Sequence, residues 1–170
     1  MWFPPQKEAV VIKKDKLAFK AVAVAAAIDC KGVVVAKRVV DGAIDSDQFI
    51  IFLEELADYT GNSKCLLLVD NLPVHRTGPV VRYAESKQIE LLYNATYSST
   101  FNPIERLWAW SKQRFSRMCI DGAPYHNQGQ MRRLVSQVVS EDYTVGLRKH
   151  IDSCLKNMQI WLDSEKSKAL

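Results

Sequence analysis

The apolar run Cys65-Leu66-Leu67-Leu68-Val69 stops abruptly at Asp70-Asn71. Such a run suits a strand buried on both faces. A carboxylate at the end of that strand lies where α/β sheets place ligands. Asp and Asn also open turns well, so a turn explains the same residues without any ligand. A second carboxylate, Glu105, follows Asn102-Pro103. Asn102 as N-cap, Pro103 at the first helical position and Glu105 at the third form an explicit helix start. A Glu there completes a capping arrangement and suits the helix dipole, a role that needs no catalysis.

Charge adds a third feature. Residues 1–85 carry 11 Lys/Arg against 11 Asp/Glu, whereas residues 86–170 carry 12 against 8, so the whole net charge of +4 lies in the second half. Within 106–133, Arg106, Lys112, Arg114, Arg117, Arg132 and Arg133 face only Asp121. That density fits either an electrostatic footprint for a polyanion or a solvated helix face. Cys30, Cys65, Cys119 and Cys154 have no CxxC spacing, and His75, His126 and His150 are scattered, which argues against a structural zinc site. Reduced thiols in an intracellular protein are the expectation, with Cys30 and Cys65 at core or strand-end positions.

The elements that must position these residues follow from pattern and punctuation. Residues 9–13 (AVVIK) form a short β-like run, and residues 18–28 and 33–40 form longer ones joined across Asp29-Cys30-Lys31-Gly32 as a hairpin. Asp45-Ser46-Asp47 starts a helix whose apolar residues recur at helical spacing from Phe49 to Leu56, ending near Tyr59. A buried strand at 65–69, a helix over 76–87, a strand at 89–93 and a polar loop at 94–100 come next. Helices from Asn102 to about Arg117, near 129–140 and over 145–163 complete the chain. This order predicts an α/β fold with a mixed sheet flanked by helices, in one domain spanning 1–170. At 170 residues and 48% hydrophobic composition, one sizeable core can be buried. No apolar run reaches the roughly 20 residues of a membrane span, and the N-terminus lacks a secretory pattern.

Taken together, Asp70-Asn71-Leu72-Pro73-Val74-His75, Tyr97-Ser98 and Asn102-Pro103-Ile104-Glu105-Arg106-Leu107-Trp108, with Lys112 following, resemble the DDE domain of mariner-type and related insertion-sequence transposases. The 34 residues between Asp70 and Glu105 are typical of one branch of that superfamily. The likeness also takes in the hairpin, the segment from Asp47 to Leu53 and the closing helices. It implies a ribonuclease-H-like fold and phosphodiester chemistry with two Mg²⁺ (or Mn²⁺) ions held by carboxylates on either side of the scissile phosphate. By resemblance Asp70 and Glu105 are catalytic metal ligands. Asn71, His75 and Asn102 support them or face substrate, and Arg106, Lys112, Arg114 and Arg117 contact DNA phosphates. DNA is the implied partner, a homodimer is allowed, and the implied location is the nucleus of a eukaryote or the cytoplasm of a bacterium.

The sequence departs from that family in three ways. The first Asp of the acidic triad is not found where the first strand should carry it, and the chain begins, by resemblance, after that strand. Among the nearby acids, Asp15 and Asp29 read as turn residues, and Glu8 is the remaining substitute. Relatives place prolines before Tyr97 and after Ser98; here those positions are Thr96 and Ser99. N-terminal DNA-recognition helices are not part of this sequence. The alternative expectation is a catalytically inactive DNA- or protein-binding module derived from a transposase.

Overall fold

A computed structural model describes residues 20–94, 101–121 and 125–168. The strand expected at 9–13, the start of the 18–28 run and Tyr97-Ser98 lie outside the described residues. β1 (Val22–Ile28) and β2 (Val34–Asp41) form the expected antiparallel hairpin, pairing from Val22↔Asp41 to Ile28↔Val34. The turn is made by Asp29, whose Oδ1 accepts the backbone N–H groups of Lys31 at 2.9 Å and Val33 at 2.8 Å. Gly32 follows with φ +84°, a left-handed conformation that favours glycine. Asp29 is thus a turn residue, as its sequence context indicates, while Cys30 is exposed in the turn instead of packed in the core.

Helix α1 (Ser46–Thr60) starts where Asp45 Oδ1 accepts the Gln48 N–H and ends at left-handed Gly61. β3 (Cys65–Val69) then leads through a 3₁₀ turn at Pro73–Arg76 into α2 (Gly78–Ser86), which is shorter than the expected 76–87 because the turn takes its first residues. β4 (Ile89–Tyr93) returns parallel to β3 in register Cys65↔Ile89 through Val69↔Tyr93. Helices α3 (Ile104–Ile120), α4 (Gln128–Val139) and α5 (Thr144–Lys168) follow. No described helix is long and apolar enough to cross a membrane.

The described strands pair as antiparallel β1–β2 and parallel β3–β4, the mixed pairing expected of this α/β fold. Alternation along β1 explains how it organises the fold. Ala25 and Ala27 face a core built from Phe49, Phe52, Leu53 and Leu56 of α1 together with Val69, Val80 and Ile89. Val24, Ala26 and Ile28 face the opposite way, toward Leu107 of α3, Val139 of α4 and Leu147 of α5. The continuous apolar sequence of β1 is therefore that of a strand covered on both sides. Trp108 and Trp110 are partly buried in this second cluster, and Trp110 lies 5.8 Å from the Tyr143 ring. Polar ties lock the layers: Gln128 of α4 bonds the Lys20 backbone and the Asp41 carboxylate, and Lys37 of β2 bonds Ser140.

Candidate active site

Asp70 sits one residue beyond β3, where parallel pairing with β4 ends. Its Oδ1 accepts the Leu72 N–H at 3.1 Å, closing the local turn foreseen for an Asp here. The same oxygen lies 3.0 Å from Nδ1 of His75, and the Asp70 side chain remains half exposed. His75 is held more firmly. It is 8% exposed, its ring stands 4.3 Å from that of Phe49, and its backbone carbonyl accepts the Tyr93 hydroxyl at 3.0 Å. The intervening Pro73–Arg76 turn folds the chain back so that residues five apart meet. A buried imidazole thereby stands against a half-exposed carboxylate, its Nδ1 also 3.2 Å from the Asp70 backbone carbonyl oxygen. Phe49 and Tyr93, the residues that hold His75, are distant in sequence, and local spacing gives no signal for them.

Asn71 acts differently. Its amide nitrogen donates to the Asn94 carbonyl, and its Oδ1 accepts from Arg76 at 2.6 Å. Arg76 in turn lies 3.9 Å over the Tyr93 ring. These contacts clamp the ends of β3 and β4 together, and Asn71 is not among the residues lining the cavity beside Asp70.

Glu105 reaches the same place from the first turn of α3. Asn102 is 8% exposed and its Oδ1 accepts the Ile104 N–H at 3.4 Å, while Pro103, instead of Asn102, occupies the N-cap position. Among the described residues no bond runs from the Asn102 N–H back to the Glu105 carboxylate, so the reciprocal capping box is not formed and the exposed Glu105 side chain is not used up in it. Asp70, His75, Asn102, Glu105 and Trp108 line one cavity of about 590 Å³. A second cavity, of about 440 Å³ between β2 and the start of α5, contains none of them.

The basic residues divide into two groups. Arg114 is paired with Glu141, at 2.7 Å and 3.0 Å from the two carboxylate oxygens, and Arg132 with Asp41 at 3.2 Å. Glu141 holds the Arg114 guanidinium above its ordinary range, chiefly by that hydrogen bond. These two arginines serve the packing of the helices before any ligand. Arg106, Lys112 and Arg117 are exposed on α3, with Arg106 5.6 Å from the Trp110 ring. Of the four expected phosphate contacts, Arg114 differs from these three in already holding a carboxylate.

Carboxylate oxygens suit a hard divalent ion such as Mg²⁺ or Mn²⁺. Asp70 and Glu105 fit such an ion in kind. They do not fit in number, because the described residues contain no group of three His, Cys, Asp or Glu side chains able to hold a metal. The four cysteines form no disulfide with one another, and burial pushes the thiols of Cys65, Cys119 and Cys154 upward.

This mixed α/β fold of helices packed on paired strands is that of ribonuclease-H-like transposase catalytic domains. The chain is similar in fold to the Mos1 strand transfer complex (TM-score 0.66, 15% identity, 94% of this chain and 47% of that one). A Mos1 mariner paired end complex with Mn gives 0.65 at 14% identity over 91% and 46%. The Mos1 transposase catalytic domain with raltegravir and Mg gives 0.55 at 13% identity over 80% and 74%. The chain spans about half the length of the chains in the first two of these structures. Residues 1–119 match the DDE superfamily endonuclease family, and the chain belongs to that family. No curated protein sequence matches it.

Proposed function

We propose that this chain is the catalytic domain of a DDE transposase, acting in cleavage of DNA phosphodiester bonds and their transfer to new DNA ends. The observation that carries this reading is the convergence of Asp70 and Glu105, from different elements, on one cavity shared with His75 and Asn102. Asp70 and Glu105 are the acidic ligands of the site. His75 positions Asp70, and Asn102 positions the start of α3. Arg106, Lys112 and Arg117 provide a phosphate-binding face, giving salt-dependent and sequence-indifferent affinity for DNA. The relatives' structures with Mn and Mg support a divalent ion as cofactor. A Mos1 transposase paired-end complex with the left transposon end supports DNA as partner; a homodimeric working form and an intracellular site of action belong to the proposed reading. With two of the expected three carboxylates described, no step is assigned to a metal here.

The second reading is a DNA- or protein-binding module that has lost cleavage, in line with only two carboxylates meeting at the cavity among the described residues. Nicking of supercoiled DNA by the purified chain in Mg²⁺ or Mn²⁺, beside Asp70→Ala and Glu105→Ala, separates the two. The enzyme reading expects a loss of roughly 10²-fold or more in both variants, the scale of removing a group that acts in the transition state. Equal inertness of all three proteins, with DNA binding that weakens steeply as salt rises, supports the binding module.

A further inference from the structure

Arg132 and Arg133 of α4 do not line the cavity beside Asp70. They meet two more cations across a separate cleft of about 250 Å³, lined by Lys37, Arg38 and Val39 of β2 and by Arg132, Arg133 and Ser136 of α4. Four of these six residues are cationic. Successive side chains on a strand point to opposite faces, so a cleft touched by 37, 38 and 39 in a row runs along the edge of β2. The other edge of β2 is taken by β1. On α4, residues 132, 133 and 136 share one side of the helix by their three- and four-residue spacing.

The cations are held in place without being used up. Arg38 gives Nε to Gln48 at 2.9 Å, and Arg132 gives one terminal nitrogen to Asp41 at 3.2 Å. A guanidinium carries several N–H donors, so each retains others for a ligand. Lys37 bonds Ser140 and the Ser136 carbonyl, neutral acceptors that leave its charge uncompensated. Arg133 is exposed and makes no hydrogen bond or ion pair with the described residues. Among those residues Asp41 is the one carboxylate that the four cations engage. Charges on an edge strand deter pairing with another chain, but that role does not call for arginines from a neighbouring helix.

We infer that this cleft is a second phosphate-binding surface for DNA, gripping the backbone away from the point where Asp70 and Glu105 act. The two sites lie on opposite sides of the hairpin: the cavity beside Asp70 takes its hairpin strand residues from β1, and this cleft takes its own from β2. Planar guanidinium forks match pairs of phosphate oxygens. Contacts of that kind fix position on the duplex and carry no base sequence. The inference rests on DNA as the partner proposed above, and not on whether the chain cuts it.

Binding of the full chain to a short DNA duplex of arbitrary sequence, measured as salt is raised, tests this. Each phosphate contact contributes about −0.9 to the slope of log affinity against log salt. Arg133→Gln is expected to make that slope shallower by about 1. Arg38→Gln combined with Arg133→Gln is expected to change it by about 2. The charge-keeping pair Arg38→Lys with Arg133→Lys is expected to hold the wild-type slope, which separates charge from packing. Arg133→Gln alone, at an exposed position, keeps the test sound where Arg38→Gln disturbs the Gln48 contact. A wild-type slope in both Gln variants overturns the inference. If Arg106→Gln with Lys112→Gln and Arg117→Gln then gives a shallower slope, DNA remains the partner and α3 is its face. No DNA binding by the wild-type chain overturns the inference together with the DNA reading. Self-association of the double Gln variant with unchanged DNA binding overturns it as well, since the cations then only guard the β2 edge.

Discussion

The two strand pairs are built from equally apolar strands and are covered very differently. β1–β2 has α1 against one face and the α3–α5 layer against the other. In β3–β4, Leu67, Val69, Ile89 and Leu91 turn toward α1 and α2, but Leu66 and Leu92 on the opposite face are 60% and 49% exposed. Antiparallel hairpin and parallel pair thus divide the labour: the first is the packed scaffold, and the second presents Asp70 at its open end. Sites need accessible groups on a rigid frame, and the difference in coverage supplies both.

The comparison can be broken from its strongest side first. Leu107, fully buried against the second face of β1–β2, is expected to cost about 2–5 kcal/mol on replacement by Ala, read by urea unfolding. A cost below 1 kcal/mol would show that the α3–α5 layer is loosely packed. Gly32→Ala comes next, because a Cβ there would lie 2.7 Å from the Thr144 carbonyl and 2.8 Å from the Arg148 nitrogen, at a φ that disfavours side chains. Such forced contacts cost about 1–3 kcal/mol, and a neutral result would mean that the hairpin turn does not dock on α5. By contrast Leu66→Thr, on the bare face of β3, should stay within about 0.5 kcal/mol of wild type. A larger loss would reveal an unrecognised partner covering that face.

The smallest expected effect is a pH dependence. His150 of α5 is held below the ordinary imidazole value, first by burial and then by Arg106. Cys154 lies 3.5 Å from its Nε2. The folded chain therefore binds a proton there less readily than the unfolded chain. Stability contributed by this group is present above the unfolded value near 6.5 and declines as pH falls through it toward the lower folded value. Thermal unfolding of His150→Gln should lack that component of the acid-side decline. An identical pH slope in the variant would remove His150 as its source.

Much of this arrangement was legible in residue pattern. The hairpin across Asp29–Gly32, the start of α1 at Asp45, β3, β4 and the three closing helices follow from periodicity and caps, with boundaries shifted by a few residues. Asp70 and Glu105 stood out because one ends an apolar run and the other opens a helix. What pattern reading missed came from contacts distant in sequence. Asn71 is consumed by Asn94 and Arg76, Arg114 by Glu141, and His75 is gripped by Phe49 and Tyr93. The expected mixed α/β fold is found, with antiparallel β1–β2 and parallel β3–β4 among the described strands.

The sequence by itself determined which segments are strands and helices, and which carboxylates stand at their ends, because hydrophobic period, caps and turn residues act over a few neighbours. Only the tertiary structure decided which faces are covered, which polar side chains are already engaged and that Asp70 and Glu105 line one cavity. Those outcomes depend on contacts between residues tens of positions apart, where burial and hydrogen-bond partners are set by the packed chain and not by local order.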